Sequence, residues 1–264
     1  FLHCEYNPSF DGQAPEPIAK NLNPFSKFIK NNGGIAAGLA TDGDADRIGL
    51  FDEKGDFVDS HHILLLLLLY LHKYKSMKGK VVVAASTTPR VVKLAEMWGL
   101  EHDTVQIGFK HIAQQMINED VLIGGEESGG IAIKGHIPER DGIWMGLVIF
   151  EYMAKSGKSL TSLIKEIYEL VGEFKYWRDD LHINENLKQS IVESCENNAF
   201  QSFGKYNIQS VDTTDGFKFI LSDDEWLMIR PSGTEPVLRC YAEGKTLENA
   251  KDILASCKQT IGVN

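Results

Sequence analysis

A chain of 264 residues, 43% hydrophobic and 24% charged, is too apolar for a disordered polymer and large enough for two or three compact units. Its formal net charge of -10 argues against the basic surface that nucleic-acid binding needs. That charge also repels phosphorylated metabolites at long range, so a phosphate site here requires its own cluster of Arg and Lys. Cys4, Cys195, Cys240 and Cys257 show neither metal-type spacing nor a disulfide framework, so a reducing cytoplasm is the expected location.

In chain order, Phe1 to Glu5 reads as a strand, and with Phe1 in place of Met the chain is expected to begin inside a domain. A loop with Pro8, Pro15, Pro17 and Pro24 follows, then a helical stretch over Pro24 to Lys30 and an apolar run from Gly34 to Ala40. Residues 1–57 are therefore expected to form the second half of an α/β domain.

Residues 58–172 alternate in the manner of a complete doubly wound α/β domain. Its first helix holds six consecutive leucines within Ile63 to Leu71; that run is far shorter than the roughly 20 residues of a membrane span, so a buried helix is expected. No signal peptide is read. Then come a strand at Val81 to Ala85, a helix opened by Thr88 and Pro89, a strand at Thr104 to Ile107 and a helix over Phe109 to Asn118. The strand Val121 to Ile123 and helices over Asp141 to Lys155 and Leu160 to Val171 complete the unit. Residues 173–264 change character and are expected to form a small α+β domain with an antiparallel sheet. Thr214-Asp215-Gly216 is a turn between its strands, and Thr246 caps the closing helix Leu247 to Ile261.

Three stretches carry chemistry. Thr41-Asp42-Gly43-Asp44-Ala45-Asp46-Arg47 places carboxylates on alternate residues and lies between two apolar runs, Gly34 to Ala40 and Ile48 to Phe51. Crowded carboxylates repel one another, and a hard divalent cation with oxygen ligands relieves that repulsion, so a Mg2+ site is expected. A solvated acidic turn is the plain alternative. An EF-hand loop is the other: Asp42, Asp44, Asp46 and Glu53 fit its spacing, but Arg47 stands where that loop needs Gly and the flanks read as strands.

Gly124-Gly125-Glu126-Glu127-Ser128-Gly129-Gly130 follows an apolar strand. Its glycines allow close backbone approach to a ligand, and Glu126 and Ser128, two apart in an extended loop, offer an acceptor and a donor to sugar hydroxyls. A Gly-rich turn is the plain alternative. Arg230-Pro231-Ser232-Gly233-Thr234-Glu235-Pro236, with Arg239 beyond, delivers an arginine to a tight turn whose hydroxyls and amides can converge on an anion.

Together and in this order, the three stretches resemble the metal loop, sugar-recognition loop and phosphate loop of the α-D-phosphohexomutases, the family of phosphoglucomutases and phosphomannomutases. The resemblance covers nearly the whole chain. It implies that Asp42, Asp44 and Asp46 hold Mg2+ and that Arg47 offsets charge beside them. It further implies that Glu126 and Ser128 grip the hexose, and that Arg230, Ser232, Gly233, Thr234 and Arg239 hold the phosphate that is not transferred. In Gly108-Phe109-Lys110, Lys110 matches a lysine near the transferring phosphoryl group. Some members carry His where this chain has Gly130, which leans away from the dual-specificity mannomutases. Ile137 to Trp144 looks more like the glucomutase branch.

The implied activity interconverts hexose 1- and 6-phosphates through glucose 1,6-bisphosphate or its analogue and a phosphoserine in a Ser-His-Asn-Pro-like loop. No such run occurs here, and Ser60-His61-His62 is not a substitute. The expectation is thus a phosphohexomutase fragment, most consistent with phosphoglucomutase, inactive without N-terminal domains of the same protein. Phosphomannomutase, phosphoglucosamine mutase, a non-catalytic phosphosugar-binding fragment and an unrelated Mg2+-dependent phosphatase stay open. A phosphorylated hexose is the expected partner, with no nucleic acid and no membrane.

Overall fold

The computed structural model describes every residue except Phe1, Cys4, Thr234, Glu235 and Asn264. The chain divides into two compact units, Phe1–Val171 and Gly172–Asn264. In the first, α1 (Asn23–Asn32) starts with Pro24 in its opening turn, where a missing N–H costs nothing. β1 (Gly38–Thr41), β2 (Ile48–Phe51) and β3 (Phe57–Val58) follow as an antiparallel sheet in that order. The described residues of the opening run, Leu2, His3 and Glu5, form no strand, contrary to expectation. His3 has φ 56°, which is incompatible with an extended run.

α2 (Ser60–Leu69) is buried along its whole length. A helix apolar on every side has no face to offer water, and this one sits inside the unit. Asp59 caps it, accepting from the His62 N–H at 3.1 Å, and a π turn over Tyr70–Tyr74 ends it. Then come β4 (Lys80–Ala84), α3 (Arg90–Met97), β5 (His102–Val105), α4 (Phe109–Asn118), β6 (Val121–Gly125), β7 (Ile131–Ile133), α5 (Gly142–Ser156) and α6 (Leu160–Val171). Strand order is β5-β4-β6-β7, parallel except for β7. Gly124 and Gly125 point to opposite faces of β6; a Cβ on the first would strike Ile112 of α4, and on the second Leu64 of α2. Helices therefore cover both faces, as a doubly wound sheet requires.

Several boundaries differ from the sequence reading. β5 begins two residues before Thr104. Pro89, not Thr88, is the N-cap of α3, while the Thr88 hydroxyl accepts from Arg90 N at 3.3 Å. β6 runs on through Gly124 and Gly125, and β7 returns beside it. Three apolar residues are too few to reveal a strand by alternation. Among the described residues, no helix is long and apolar enough to cross a membrane.

The second unit holds β8 (Lys175–His182), α7 (Glu185–Glu196), β9 (Ser202–Phe203), β10 (Tyr206–Asn207), β11 (Ser210–Asp212), β12 (Phe217–Ser222), β13 (Glu225–Pro231), β14 (Val237–Gly244) and α8 (Leu247–Thr260). Its main sheet has the order β11-β12-β13-β14-β8 and is antiparallel throughout. Alternate residues Leu227 and Ile229 of β13, and Leu238, Cys240 and Ala242 of β14, share a core with α7 and α8. Asn184 caps α7 and Thr246 caps α8. The fold class is as expected, with a mixed α/β part followed by an antiparallel α+β part.

Candidate functional site

The β1–β2 register pairs Thr41 with Ile48 and leaves Asp42 to Arg47 as the connecting turn. Ala45 takes a left-handed φ of 60°, and the turn folds back so that one oxygen each of Asp42, Asp44 and Asp46 lie within 4.8 Å of one another. Oxygen atoms gathered in this way are the kind of ligand set that a hard divalent cation takes. Strands on both sides rule out the helix-flanked EF-hand. β2 also carries Glu53 away from the turn by roughly 3.3 Å per residue.

The carboxylates are not equivalent. Asp42 is buried and accepts from Arg47 twice, from the backbone N at 3.1 Å and from Nε at 2.5 Å. Burial alone would raise its pKa, but these bonds outweigh it and hold the group below the ordinary carboxylate value. Asp46 moves the other way: burial and the neighbouring Asp42 and Asp44 charges exceed the pull of Arg140 and push it up. Asp44 is exposed, and among the described residues no cation pairs with it. The chemistry and spacing of this set fit a hard divalent cation, and Asp42 keeps lone pairs free beside its bonds to Arg47.

The Gly-rich stretch turns against this loop. Gly129 N donates to Glu126 O at 3.3 Å and Glu126 N to Gly130 O at 3.0 Å, closing a tight turn between β6 and β7. The expectation of an extended loop is corrected accordingly. Ile48 N donates to Gly129 O at 3.1 Å, and a side chain on Gly129, at φ 98°, would meet Ile48 O at 2.6 Å. The glycines thus make room for the protein's own backbone and side chains. Glu126 is buried, and its Oε1 accepts from Gly108 N at 2.8 Å. Burial is the main cause that raises its pKa. Ser128 is half-buried in the turn.

Arg140 ties the two loops together. Its Nη2 lies 2.5 Å from Asp46 Oδ2 and its Nη1 3.9 Å from Glu126 Oε2, with the guanidinium 5.6 Å from the Phe109 ring centroid. Its methylene stem fills the space a side chain at Gly130 would need. Gly142 N, at the start of α5, donates to Ala45 O at 2.9 Å and seats this segment on the acidic turn. Lys110 is exposed in the first turn of α4, one residue beyond Phe109. Arg47 also reaches Glu16 Oε1 at 3.5 Å.

In the second unit, β13 and β14 pair Pro231 with Leu238, so Ser232 to Val237 form the connection. Ser232 is buried; its N donates to Val237 O at 2.9 Å and its carbonyl accepts from Lys188 Nζ at 3.1 Å. Gly233 is exposed, and Thr234 lies outside the described residues. Arg239 stands directly opposite Arg230 in the ladder, on the same face of the sheet. Arg230 Nε donates to Asp215 Oδ1 at 3.0 Å, and Arg230 lines a cleft of ≈ 520 Å³ with Asp215, Asn198 and Pro231.

Sequence reasoning did not assign roles to Glu16, Glu127, Arg140, Lys188 or Asp215. For Arg140 a signal existed, since it lies in the same Ile137 to Trp144 run that carries part of the resemblance. Lys188 and Asp215 gave none, because their partners are 44 and 15 residues away.

Comparison with known proteins completes the picture. Three family models match: phosphoglucomutase/phosphomannomutase alpha/beta/alpha domain II over residues 1–55, alpha/beta/alpha domain III over 59–171, and the C-terminal domain over 185–258. A phosphoglucomutase/phosphomannomutase of Thermococcus kodakarensis is 31% identical over 93% of this chain and 51% of its own length. A phosphoglucosamine mutase of Methanococcus maripaludis is 30% identical over 96% of this chain and 54% of its own. A solved structure from Thermus thermophilus, described as a phosphomannomutase, superimposes with a TM-score of 0.82 at 31% identity, covering 98% of this chain and 53% of that one. The chain thus spans about half the length of these curated relatives.

Proposed function

The chain belongs to the phosphoglucomutase/phosphomannomutase family, and from that premise we propose that it carries the cation-, sugar- and phosphate-binding parts of a phosphohexomutase, with phosphoglucomutase as the leading substrate assignment. The observation that carries this reading is the joining of the acidic turn to the Gly-rich turn, by Ile48 N on Gly129 O and by Arg140 reaching both Asp46 and Glu126. A cation-binding set and a sugar-reading set are then neighbours, as transfer of a phosphoryl group to and from a hexose requires.

Asp42, Asp44 and Asp46 would hold Mg2+, which when bound offsets negative charge on a transferring phosphoryl group. The protein's own groups do the rest. Arg47 fixes the buried Asp42 carboxylate in place and adds positive charge at the loop. Glu126, raised by burial, accepts from a sugar hydroxyl, and Ser128 donates to or accepts from its neighbour. Lys110, exposed beside Phe109, is the candidate for proton transfer or phosphoryl stabilisation. Arg230, with Ser232, Gly233, Thr234 and Arg239, holds the phosphate that stays on the sugar; two arginines side by side supply the local positive charge that a protein of net charge -10 needs. In this reading the nucleophilic phosphoserine is supplied by N-terminal domains of the same protein.

A second reading, mutase action on glucosamine phosphate, is favoured by the name of the Methanococcus maripaludis relative. Calorimetric titration of the 264-residue chain with glucose 1,6-bisphosphate, with and without Mg2+ and alongside a mutase assay, tests the proposal. Binding that is lost in Arg230→Ala, without turnover, is the expected result. Turnover by this chain alone would contradict the separate nucleophile. Substrate profiling of the complete protein decides between glucose, mannose and glucosamine phosphates.

A further inference from the structure

The centre of the Gly-rich turn is Glu127, a residue that neither the sugar-binding nor the cation-binding reading uses. Its backbone carbonyl accepts from the Ser60 hydroxyl, and its carboxylate Oε2 accepts from the Ser86 hydroxyl. Both serines are buried, Ser86 completely. They come from two segments that are themselves held in place. Ser60 is the first residue of α2, locked by the Asp59 cap and by His62, whose Nε2 lies 2.9 Å from the Tyr168 hydroxyl. Ser86 stands just past β4, where Ala85 N donates to Val105 O and Thr87 N to Ala84 O, each at 2.9 Å.

We infer that Glu127 is a positioning residue: Ser60 and Ser86 clamp it from two rigid elements and thereby fix the direction in which Glu126 and Ser128 meet a sugar. The inference rests on the reading of those two residues as sugar contacts. The ends of the turn are already held, by the Glu126–Gly130 bond and by Ile48 on Gly129. Those bonds leave rotation of the peptide units on either side of Glu127 to the single 3.3 Å bond from Gly129 N to Glu126 O. Such a rotation swings both neighbours at once, and two hydroxyls on one residue, one to its main chain and one to its side chain, prevent it. The clamp needs an acceptor at the end of the side chain, and an amide oxygen serves as well as a carboxylate oxygen.

This separates a positioning role from a general structural one. In the 264-residue chain, hydrogen exchange at the Gly129 amide, which is bonded to Glu126 O, reads the clamp with no ligand present. Titration with glucose 1,6-bisphosphate reads its consequence, and Mn2+ binding serves as the internal control. Ser86→Ala and Glu127→Leu are expected each to speed Gly129 exchange and weaken bisphosphate binding by roughly tenfold, the double variant being no worse than either alone. Glu127→Gln should stay within about twofold of the natural chain in both readouts, and Mn2+ affinity should move by less than about twofold in all variants. Unchanged Gly129 exchange in both Ser86→Ala and Glu127→Leu overturns the clamp. Loss of Mn2+ and bisphosphate binding together in the conservative Ser86→Ala variant overturns the positioning role in favour of general unfolding. Faster exchange in variants of a chain that itself binds no bisphosphate upholds the clamp and overturns the sugar role of the turn.

Discussion

Two hairpin turns in this protein each hold an arginine against an aspartate. The turn from Asp42 to Arg47 joins β1 to β2 and concentrates carboxylates that its own Arg47 and the distant Arg140 restrain. The turn after Arg230 joins β13 to β14 and starts from an arginine that Asp215 restrains. The first is cross-linked to segments far away in sequence, and its Asp42 side chain is almost completely enclosed, at 3% exposure. The second is held by a pair at 22% and 17% exposure and by Lys188 of α7 on the Ser232 carbonyl. An identical chemical device, one arginine on one aspartate, therefore encloses its carboxylate in the first turn and leaves both partners partly exposed in the second.

Removing each arginine is the direct way to break that comparison. Arg47→Ala leaves Asp42 buried without its side-chain partner and should cost about 3 kcal/mol or more in urea unfolding. Arg230→Ala should cost only about 1 kcal/mol of stability while weakening glucose 1,6-bisphosphate binding by roughly 100-fold, since a charge-assisted contact to phosphate is lost. Equal stability losses in the two variants would erase the distinction.

Gly130→Ala sharpens the account of the first turn. The added methyl meets the Arg140 stem, so a loss of about 1–3 kcal/mol is expected, most of it recovered when Arg140→Ala is added. Recovery by the second change shows that the two positions compete for one space, whereas simple additivity would not.

The smallest effect concerns acid. Burial would raise the Asp59 carboxyl, but the His62 charge and hydrogen bond prevail and hold it well below its ordinary value of 3.8. A depressed folded-state pKa contributes stability above the unfolded value and loses it as pH falls through the folded one. Stability should accordingly decline below about pH 4, with a shallower decline in Asp59→Asn, checked by urea midpoints across that range.

How far the sequence could be read depended on the range of the interactions. The Leu-rich helix, the α4 and α6 spans, and the strand Ile48 to Phe51 follow from local apolar pattern, and the structure has them at those places. β7 and the β9–β10 hairpin are too short to show a period. The alternating aspartates of the acidic turn were visible as a cluster because their spacing is local. Arg140 meets Asp46 only because α5 docks on Ala45, and Ser86 meets Glu127 only because β4 lies beside β6. Such pairs depend on tertiary packing, which no window of neighbouring residues contains. Even the glycines of the second motif, read as room for a ligand, proved to be room for Ile112, Leu64, Ile48 and Arg140.

The central claim is that the acidic turn is a divalent-cation site. Mn2+ titration of the 264-residue chain, followed by electron paramagnetic resonance in the natural protein and in Asp44→Asn and Asp46→Asn, tests it most directly. The account predicts one bound ion per chain, weakened at least roughly tenfold by either change. An ion that binds equally well in both variants, or no binding at all, would contradict it.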